Sequence, residues 1–289
     1  MRASVPFRWA SSPVAGHFVD AHRWGRARRG VFLAGVLAII LSGCLSVPVA
    51  ETDAMATATD AVASTSDILI GQLNTAEKQI LLQKAKLKTD AYTFVLEDAP
   101  LYATLDTFAP ETAQFKAAID ILKNYAGLIK SLVEGQNASA EGDQIKTIID
   151  NVSAIPGVGP EFKAAVGAFL PLVDKALLAG SRAEARDLVA RGRPAVTALI
   201  GALKAGTPAM FRELVAGSFA ARASFDSEKA RVQFSNYVIL LDRLQATFDR
   251  LADAFANPTS PTTLATLAQA TGELVADAKL VQQGLAALK

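Results

Sequence analysis

The stretch FSNYVILLDRLQATFDRLADAF, residues 234–255, decides the fold class. Its apolar residues recur at alternating steps of three and four, which places them on one face of an α-helix. They are Phe234, Tyr237, Leu241, Leu244, Phe248, Leu251 and Phe255. The mean step of 3.5 residues is the period of a coiled-coil seam. The stretch therefore predicts a long amphipathic helix that packs against another helix.

The same pattern continues to the end of the chain. After Asn257-Pro258, the pair Ser260-Pro261 predicts an N-cap followed by the first residue of a last helix. The apolar stripe of that helix comprises Leu264, Leu267, Thr271, Leu274, Ala278, Val281 and Leu285. Because the connection is only about four residues long, the two helices are expected to form an antiparallel hairpin.

Two further amphipathic helices are predicted upstream. The first spans some 40 residues, about 60 Å of helix, with gaps in its stripe at Ser66 and Gln83. Its stripe comprises Val62, Leu69, Leu73, Ala76, Ile80, Leu87, Ala91 and Phe94. The second follows Pro100 and Pro110 and ends at 135–137, Gly-Gln-Asn. Its stripe comprises Phe115, Ala118, Leu122, Tyr125, Ile129 and Leu132.

The middle of the chain carries glycine and proline signals for helix ends. These signals predict breaks at 156–160 and 180–181, a kink at Pro171, and an interruption at Gly192 and Pro194. Ser181, followed three residues later by Glu184, has the spacing of a capping box.

Gly201 and Gly206 have the spacing of a phosphate-binding loop. No lysine follows Gly206 and no strand is predicted before Gly201, so we predict a helix C-cap followed by an N-cap at 206–208 instead. Downstream, two alternatives stay open, one continuous helix over 208–256 or a break near 224–227.

No run of period-two alternation rich in β-branched residues is found. The sequence therefore predicts an all-α fold, an elongated antiparallel bundle with coiled-coil-like heptad helices. Residues 52–289 are expected to form a single domain.

The distribution of reactive side chains excludes several function classes. Both histidines, both tryptophans and six of the 29 basic residues precede Cys44, together with one of the 28 acidic residues. The rest of the chain, with 23 basic and 27 acidic residues, has a formal charge of −4 and no histidine. Without histidine, that part cannot use His-based acid–base catalysis, a Ser-His-Asp or Cys-His site, or a His-ligated haem, and nearly all zinc sites are excluded.

An export signal is predicted at the N-terminus. Arg23, Arg26, Arg28 and Arg29 precede the apolar run 31–41, which is too short to span a bilayer permanently. Leu41, Ser42, Gly43 and Cys44 follow directly, and Cys44 is the one cysteine of the chain. This stretch resembles the lipobox of bacterial lipoprotein precursors.

The resemblance implies that signal peptidase recognises Leu41, Ser42 and Gly43 and removes residues 1–43, and that Cys44 is acylated. Two or three acyl chains make desorption from a membrane slow, because each buried methylene contributes about 0.8 kcal/mol. Residues 44–51 are then expected to be the acylated cysteine and a short tether. Leu45 rather than Asp follows the cysteine, which favours the outer membrane by analogy with enteric lipoproteins.

The turn at 155–160, Ile-Pro-Gly-Val-Gly-Pro, resembles that of a helix-hairpin-helix nucleic-acid motif. In such a turn Gly157, Val158 and Gly159 would present N–H groups to a phosphate. Glu161 and the net acidic charge oppose polyanion binding, so a plain interhelical turn is favoured and nucleic acid is not expected as a partner.

Clusters of charge are interpreted mainly as solvated faces, because acids alternate with the basic residues. They comprise Lys78, Lys84, Lys86 and Lys88 on one helix and Arg182, Arg186, Arg191 and Arg193 on another. Contact with anionic lipid or a partner is the alternative. No metal site, cofactor or small-molecule substrate is predicted, although a site made of carboxylates alone stays open.

The sequence thus favours a non-enzymatic, lipid-anchored helical scaffold or binding subunit with a protein partner in the cell envelope. It would face the periplasm or the exterior. Two alternatives are a membrane-active, pore-forming-like protein that uses the apolar segment 164–180, and a weak DNA-contacting protein that uses the turn at 155–160.

Overall fold

The computed structural model describes residues 47, 49–88, 93–102, 108–155, 158–179 and 182–288. The chain divides into two units, Met1–Cys44 and Leu45–Lys289. The first unit lies outside the described residues. In the second, regular structure over the described ranges is helical and includes no strand, which confirms the all-α prediction.

The helices follow one another through short connections and one longer one. They are α1 (Val49–Lys86), a 3-10 turn (Leu96–Asp98), α2 (Ala99–Tyr102), α3 (Pro110–Glu134), α4 (Ser139–Ala154), α5 (Pro160–Gly167), α6 (Leu170–Ala179), α7 (Arg182–Ala220), α8 (Ser227–Ala256) and α9 (Pro261–Ala286).

Helix α1 lies at the centre and packs against α3, α7, α8 and α9. Because it is covered on several sides, it is buried around much of its circumference rather than along one stripe. Several of its buried positions are threonine or serine. Their hydroxyl groups donate to carbonyl groups one turn back, as Thr59 Oγ1 does to Met55 O at 2.9 Å. Thr65 Oγ1 also donates across to Ala278 O of α9, at 3.0 Å.

Ser66, which interrupts the predicted apolar stripe, is buried and contacts α8. Its hydroxyl lies 2.8 Å from Val62 O and 3.0 Å from the hydroxyl of Tyr237 on α8. Burial raises the pKa of Tyr237 to about 12, although the hydrogen bond with Ser66 acts in the opposite direction. The apparent gap therefore joins α1 to α8.

The hairpin of α8 and α9 forms as predicted. All seven residues of the 234–255 stripe are buried, and the Ser260 hydroxyl accepts from Thr263 N at 3.3 Å. Leu240, Thr247 and Ala254 are buried as well, so each seven residues of α8 bury three side chains. A coiled-coil seam would use two, and the predicted coiled-coil heptads are not confirmed.

Of the two alternatives for residues 208–256, the break is correct, and it separates α7 from α8. Residues 221–226 leave the helix, Arg222 has a φ of 55°, and the Asp226 side chain accepts from Lys229 N at 3.0 Å as an N-cap.

The predicted end of α3 is confirmed too. Gly135 there takes a φ of 73°, which glycine adopts without strain, and Gln136 N donates to Ser131 O at 2.8 Å.

Helix α7 contradicts the breaks predicted at Gly192, Pro194 and 206–208, because it runs through all of them. Each internal proline removes one backbone hydrogen bond and costs about 3 kcal/mol. Burial of the apolar face of α7 offsets that cost; this face comprises Leu188, Val189, Ala195, Val196, Leu199, Ile200, Leu203, Met210 and Leu214. The glycines make room for neighbours, since a Cβ at Gly206 would overlap the ring of Phe115.

The predicted bounds of the first helix and of the helix around Pro171 also change. Helix α1 begins at Val49, inside the predicted tether, and ends at Lys86, so Leu87 and Phe94 do not continue its stripe. Val47 is 1% exposed and belongs to the core. Pro171 is the second residue of α6 and does not kink a longer helix, because the chain already leaves the helix after Gly167.

Helices α1 and α3 are joined by a ladder of ion pairs, each seven residues from the next. Lys116 pairs with Asp67 at 3.2 Å, Lys123 with Asp60 at 2.5 Å and Lys130 with Asp53 at 2.5 Å. The residue numbers fall on one helix as they rise on the other, so the two helices are antiparallel.

Two lysines of the ladder, Lys116 and Lys130, are held in their charged form. Burial lowers the pKa of Lys116, but hydrogen bonds and attraction from Asp120 and Asp67 outweigh it, and the net shift is upward. The hydrogen bond to Asp53 raises the pKa of Lys130.

One end of the ladder is closed by caps supplied from α1. Asn74 Oδ1 accepts from Ala109 N at 2.8 Å, and the carboxylate of Glu77 accepts from Thr112 N at 3.1 Å and Thr112 Oγ1 at 2.8 Å. These bonds satisfy N–H groups at the start of α3 and place a negative charge at the positive end of its dipole.

Reversing one charge of the ladder is expected to lower the free energy of unfolding by about 1 kcal/mol, since both partners are half exposed. The variant is Lys123→Asp, which faces Asp60 with a second acid. In the double variant Asp60→Lys with Lys123→Asp, the pair is restored in the opposite sense, and most of the loss should be recovered. Urea unfolding measures the free energy of unfolding of the double variant and of the two single variants, Lys123→Asp and Asp60→Lys. If the double variant loses as much stability as the two single variants together, the ladder is contradicted.

Candidate functional site

The predicted lipidation site lies outside the described residues. This applies to Cys44 and to Leu41, Ser42 and Gly43 before it. Helix α1 begins at Val49, five residues after Cys44 in the chain. Acylation of Cys44 therefore stays a prediction from the sequence.

The turn at 155–160 joins α4 to α5. Gly157 lies outside the described residues, Val158 is buried against the core, and Gly159 precedes the first residue of α5 in an extended conformation. The Lys163 ammonium donates to Ser153 O at 3.2 Å, back across the turn. These contacts are compatible with an interhelical turn, and one of them engages the ammonium group of Lys163.

The segment 164–180, predicted as membrane-active in one alternative, covers the end of α5 and all of α6. Its core-facing side chains comprise Ala165, Val166, Phe169, Leu172, Val173 and Ala176. Asp174, on the outer side, pairs with Lys146 of α4 at 2.7 Å. Within the described ranges, no helix has the length and apolar character needed to cross a membrane.

The acidic residues do not form a metal site where the structure describes them. No group of three or more His, Cys, Asp or Glu side chains comes together there. Glu77 is only 5% exposed, and its carboxylate caps α3 as described above. The carboxylate-only site left open by the sequence is therefore not found among these residues.

Large apolar side chains are exposed in the connection between α1 and α3. We call this set the apolar connection; it comprises Leu87, Phe94, Leu96, Tyr102 and Phe108. Leu87 and Phe94 are 84% and 70% exposed. Exposed apolar residues concentrated in one segment are typical of a contact surface for another molecule.

The apolar connection follows the C-terminal end of α1. At 1.5 Å per residue the 38-residue α1 is about 57 Å long, so Leu87 lies roughly that far from Val49. Sequence reasoning missed this surface because Leu87 and Phe94 match the helical period. The available signal was the pair Pro100 and Pro110, which marks a long connection rich in apolar residues.

Comparison with known proteins finds no matching family model. It likewise finds no similar protein of established function and no similar solved structure. The candidate surfaces are therefore interpreted from their own residues and geometry.

Proposed function

We propose that this chain is a bacterial lipoprotein whose mature domain is a non-enzymatic binding subunit of the cell envelope. Acyl chains on Cys44 hold it at a membrane, with the outer membrane favoured, and it faces the periplasm or the exterior. It contacts a protein partner through the apolar connection. The observation that carries the proposal is the position of the one cysteine, directly after an apolar run in the sequence Leu-Ser-Gly-Cys.

The short distance from Cys44 to α1 supports attachment close to the membrane. Five residues reach at most about 17 Å when extended. The N-terminal end of α1 is then held near the bilayer surface, while the apolar connection follows the other end of the same helix. This arrangement favours a partner met some distance from the anchoring membrane.

The exposed side chains support a protein partner. Aromatic residues are enriched where proteins bind each other, and Phe94, Tyr102 and Phe108 contribute three. The connection also carries Glu97, which is exposed, and Asp98, which is half buried, and their negative charge opposes contact with an anionic lipid surface.

Mass spectrometry of the protein isolated from cells tests the anchor. We expect an N-terminal Cys44 carrying acyl chains, and the Cys44→Ser variant should leave the membrane fraction. An uncleaved or unmodified N-terminus would overturn the lipoprotein proposal.

Photo-crosslinking in intact cells tests the partner surface. A benzoyl-phenylalanine residue is placed at Leu96 in one strain and at Val232, an exposed position of α8, in the control strain. We expect a discrete protein adduct from position 96 and none from position 232. Equal labelling at both positions, or none at 96, would contradict a partner at the apolar connection.

A further inference from the structure

A groove runs along the outer surface between α7 and α8, with a volume of about 520 Å³. That volume is in the range of small-molecule sites. Its lining comprises Lys204, Thr207, Pro208, Phe211, Arg212, Arg231, Phe234, Ser235 and Val238. The two helices contribute almost equally, so the groove depends on their antiparallel pairing.

The base of the groove is aromatic. The rings of Phe211 and Phe234 meet edge to face, with centroids 5.5 Å apart and planes at 86°. Phe234 is buried in the core and fixes this pair, while Phe211 is half buried. An aromatic ring bound here would extend an existing aromatic cluster.

The rim of the groove is basic. Lys204, Arg212 and Arg231 all line it, and no acidic side chain does among the described residues. Lys204 pairs with Asp242 and Arg231 with Glu228, and the Arg231 guanidinium lies 5.9 Å from the centre of the Phe211 ring. Arg212 is exposed and makes no ion pair with any described residue.

We propose that this groove binds a small aromatic carboxylate. The ring of the ligand packs against Phe211 and Phe234, and its carboxylate accepts two hydrogen bonds from Arg212. A guanidinium matches a carboxylate in this bidentate geometry. Arg231 is already paired with Glu228, so Arg212 supplies the positive charge that makes the site select for an anion over a neutral molecule of the same shape.

Titration with naphthalene-2-carboxylate tests the proposal. The protein is the full chain carrying Cys44→Ser, so that no acyl group competes for the groove, and binding is measured by calorimetry. We expect saturable binding, and at least tenfold weaker binding of the neutral naphthalene-2-carboxamide. Equal affinity for the two, or no binding of the carboxylate at millimolar concentration, would overturn the proposal.

Two pairs of variants locate the site. Arg212→Gln should weaken carboxylate binding roughly tenfold, whereas Arg250→Gln, an exposed arginine elsewhere on α8, should leave it within twofold. Ser235→Trp places an indole in the groove and should abolish binding, whereas Asn236→Trp on the adjacent face of α8 should not. Because all four residues are exposed, circular dichroism should show unchanged helix content. A normal affinity in both Arg212→Gln and Ser235→Trp would place the ligand elsewhere.

Discussion

Replacing Gly217 with alanine is expected to lower the free energy of unfolding by about 3 kcal/mol. Gly217 of α7 lies directly against Ala76 of α1, and a Cβ there would overlap the Cα and Cβ of Ala76 and lie 2.9 Å from its carbonyl oxygen. The obstacle is backbone rather than a flexible side chain, so the two helices have to move apart and their packing is lost along the contact. Chemical unfolding followed by circular dichroism measures the change.

Gly201→Ala is the matched control in the same helix. A Cβ at Gly201 meets no atom within 4 Å. Alanine favours the helix over glycine by about 1 kcal/mol, so this variant should be slightly more stable than the original protein. If Gly217→Ala and Gly201→Ala shift stability alike, the close approach of α7 to α1 is wrong.

Replacing Tyr125 with alanine is expected to cost about 3–5 kcal/mol, the range for removing a large buried ring. Tyr125 is 1% exposed and is the point where α3 meets the turn between α5 and α6, as well as α7 and α8. Its ring packs edge to face with Phe169 at 5.3 Å and lies 6.2 Å from Phe248, and its hydroxyl donates to Leu188 O at 2.9 Å. Burial also raises the pKa of this hydroxyl, so it stays protonated at neutral pH.

Tyr125→Phe separates the ring from the hydroxyl. It keeps the aromatic contacts and removes one hydrogen bond, so we expect a loss of about 1 kcal/mol. Thermal and urea unfolding should therefore show a much larger loss of stability for Tyr125→Ala than for Tyr125→Phe. A loss above 3 kcal/mol for Tyr125→Phe would show that the hydroxyl, rather than the ring, carries the contact.

The sequence predicts best those helices that bury one face. The 234–255 stripe is correct at every position because one side of α8 faces the core and the other faces solvent. Helix α1 is harder to predict, since it is enclosed by four neighbours and its buried positions include threonines and serines. A period of apolar residues cannot show that Ser66 meets Tyr237, which is far away in the chain.

The wrong breaks in α7 have a common cause. Glycine and proline report local preference, whereas tertiary packing decides the outcome. A Cβ at Gly192 would overlap the hydroxyl of Tyr125, and one at Gly206 the ring of Phe115, so both glycines serve contacts with α3. Their partners lie 67 and 91 residues earlier in the sequence, where no local pattern links them.

The candidate surfaces could be predicted only in part. The stretch that resembles a lipobox is contiguous, so four residues suffice to propose it. The groove between α7 and α8 joins Arg212 to Arg231 and Phe211 to Phe234, and these pairs come together only once the register of two antiparallel helices is known. The positions of charged and aromatic residues along the chain do not show which residues of α7 lie beside which residues of α8.

The equal spacing along the α1–α3 ladder has a consequence for how the two helices align. Sliding α3 by seven residues, about 10.5 Å, still matches two lysines with two aspartates, so electrostatic attraction alone tolerates that slip. The slip would leave the first N–H groups of α3 far from Asn74 and Glu77. The Asn74 amide and the Glu77 carboxylate, at the end of the ladder, therefore distinguish the observed alignment from the one shifted by seven residues.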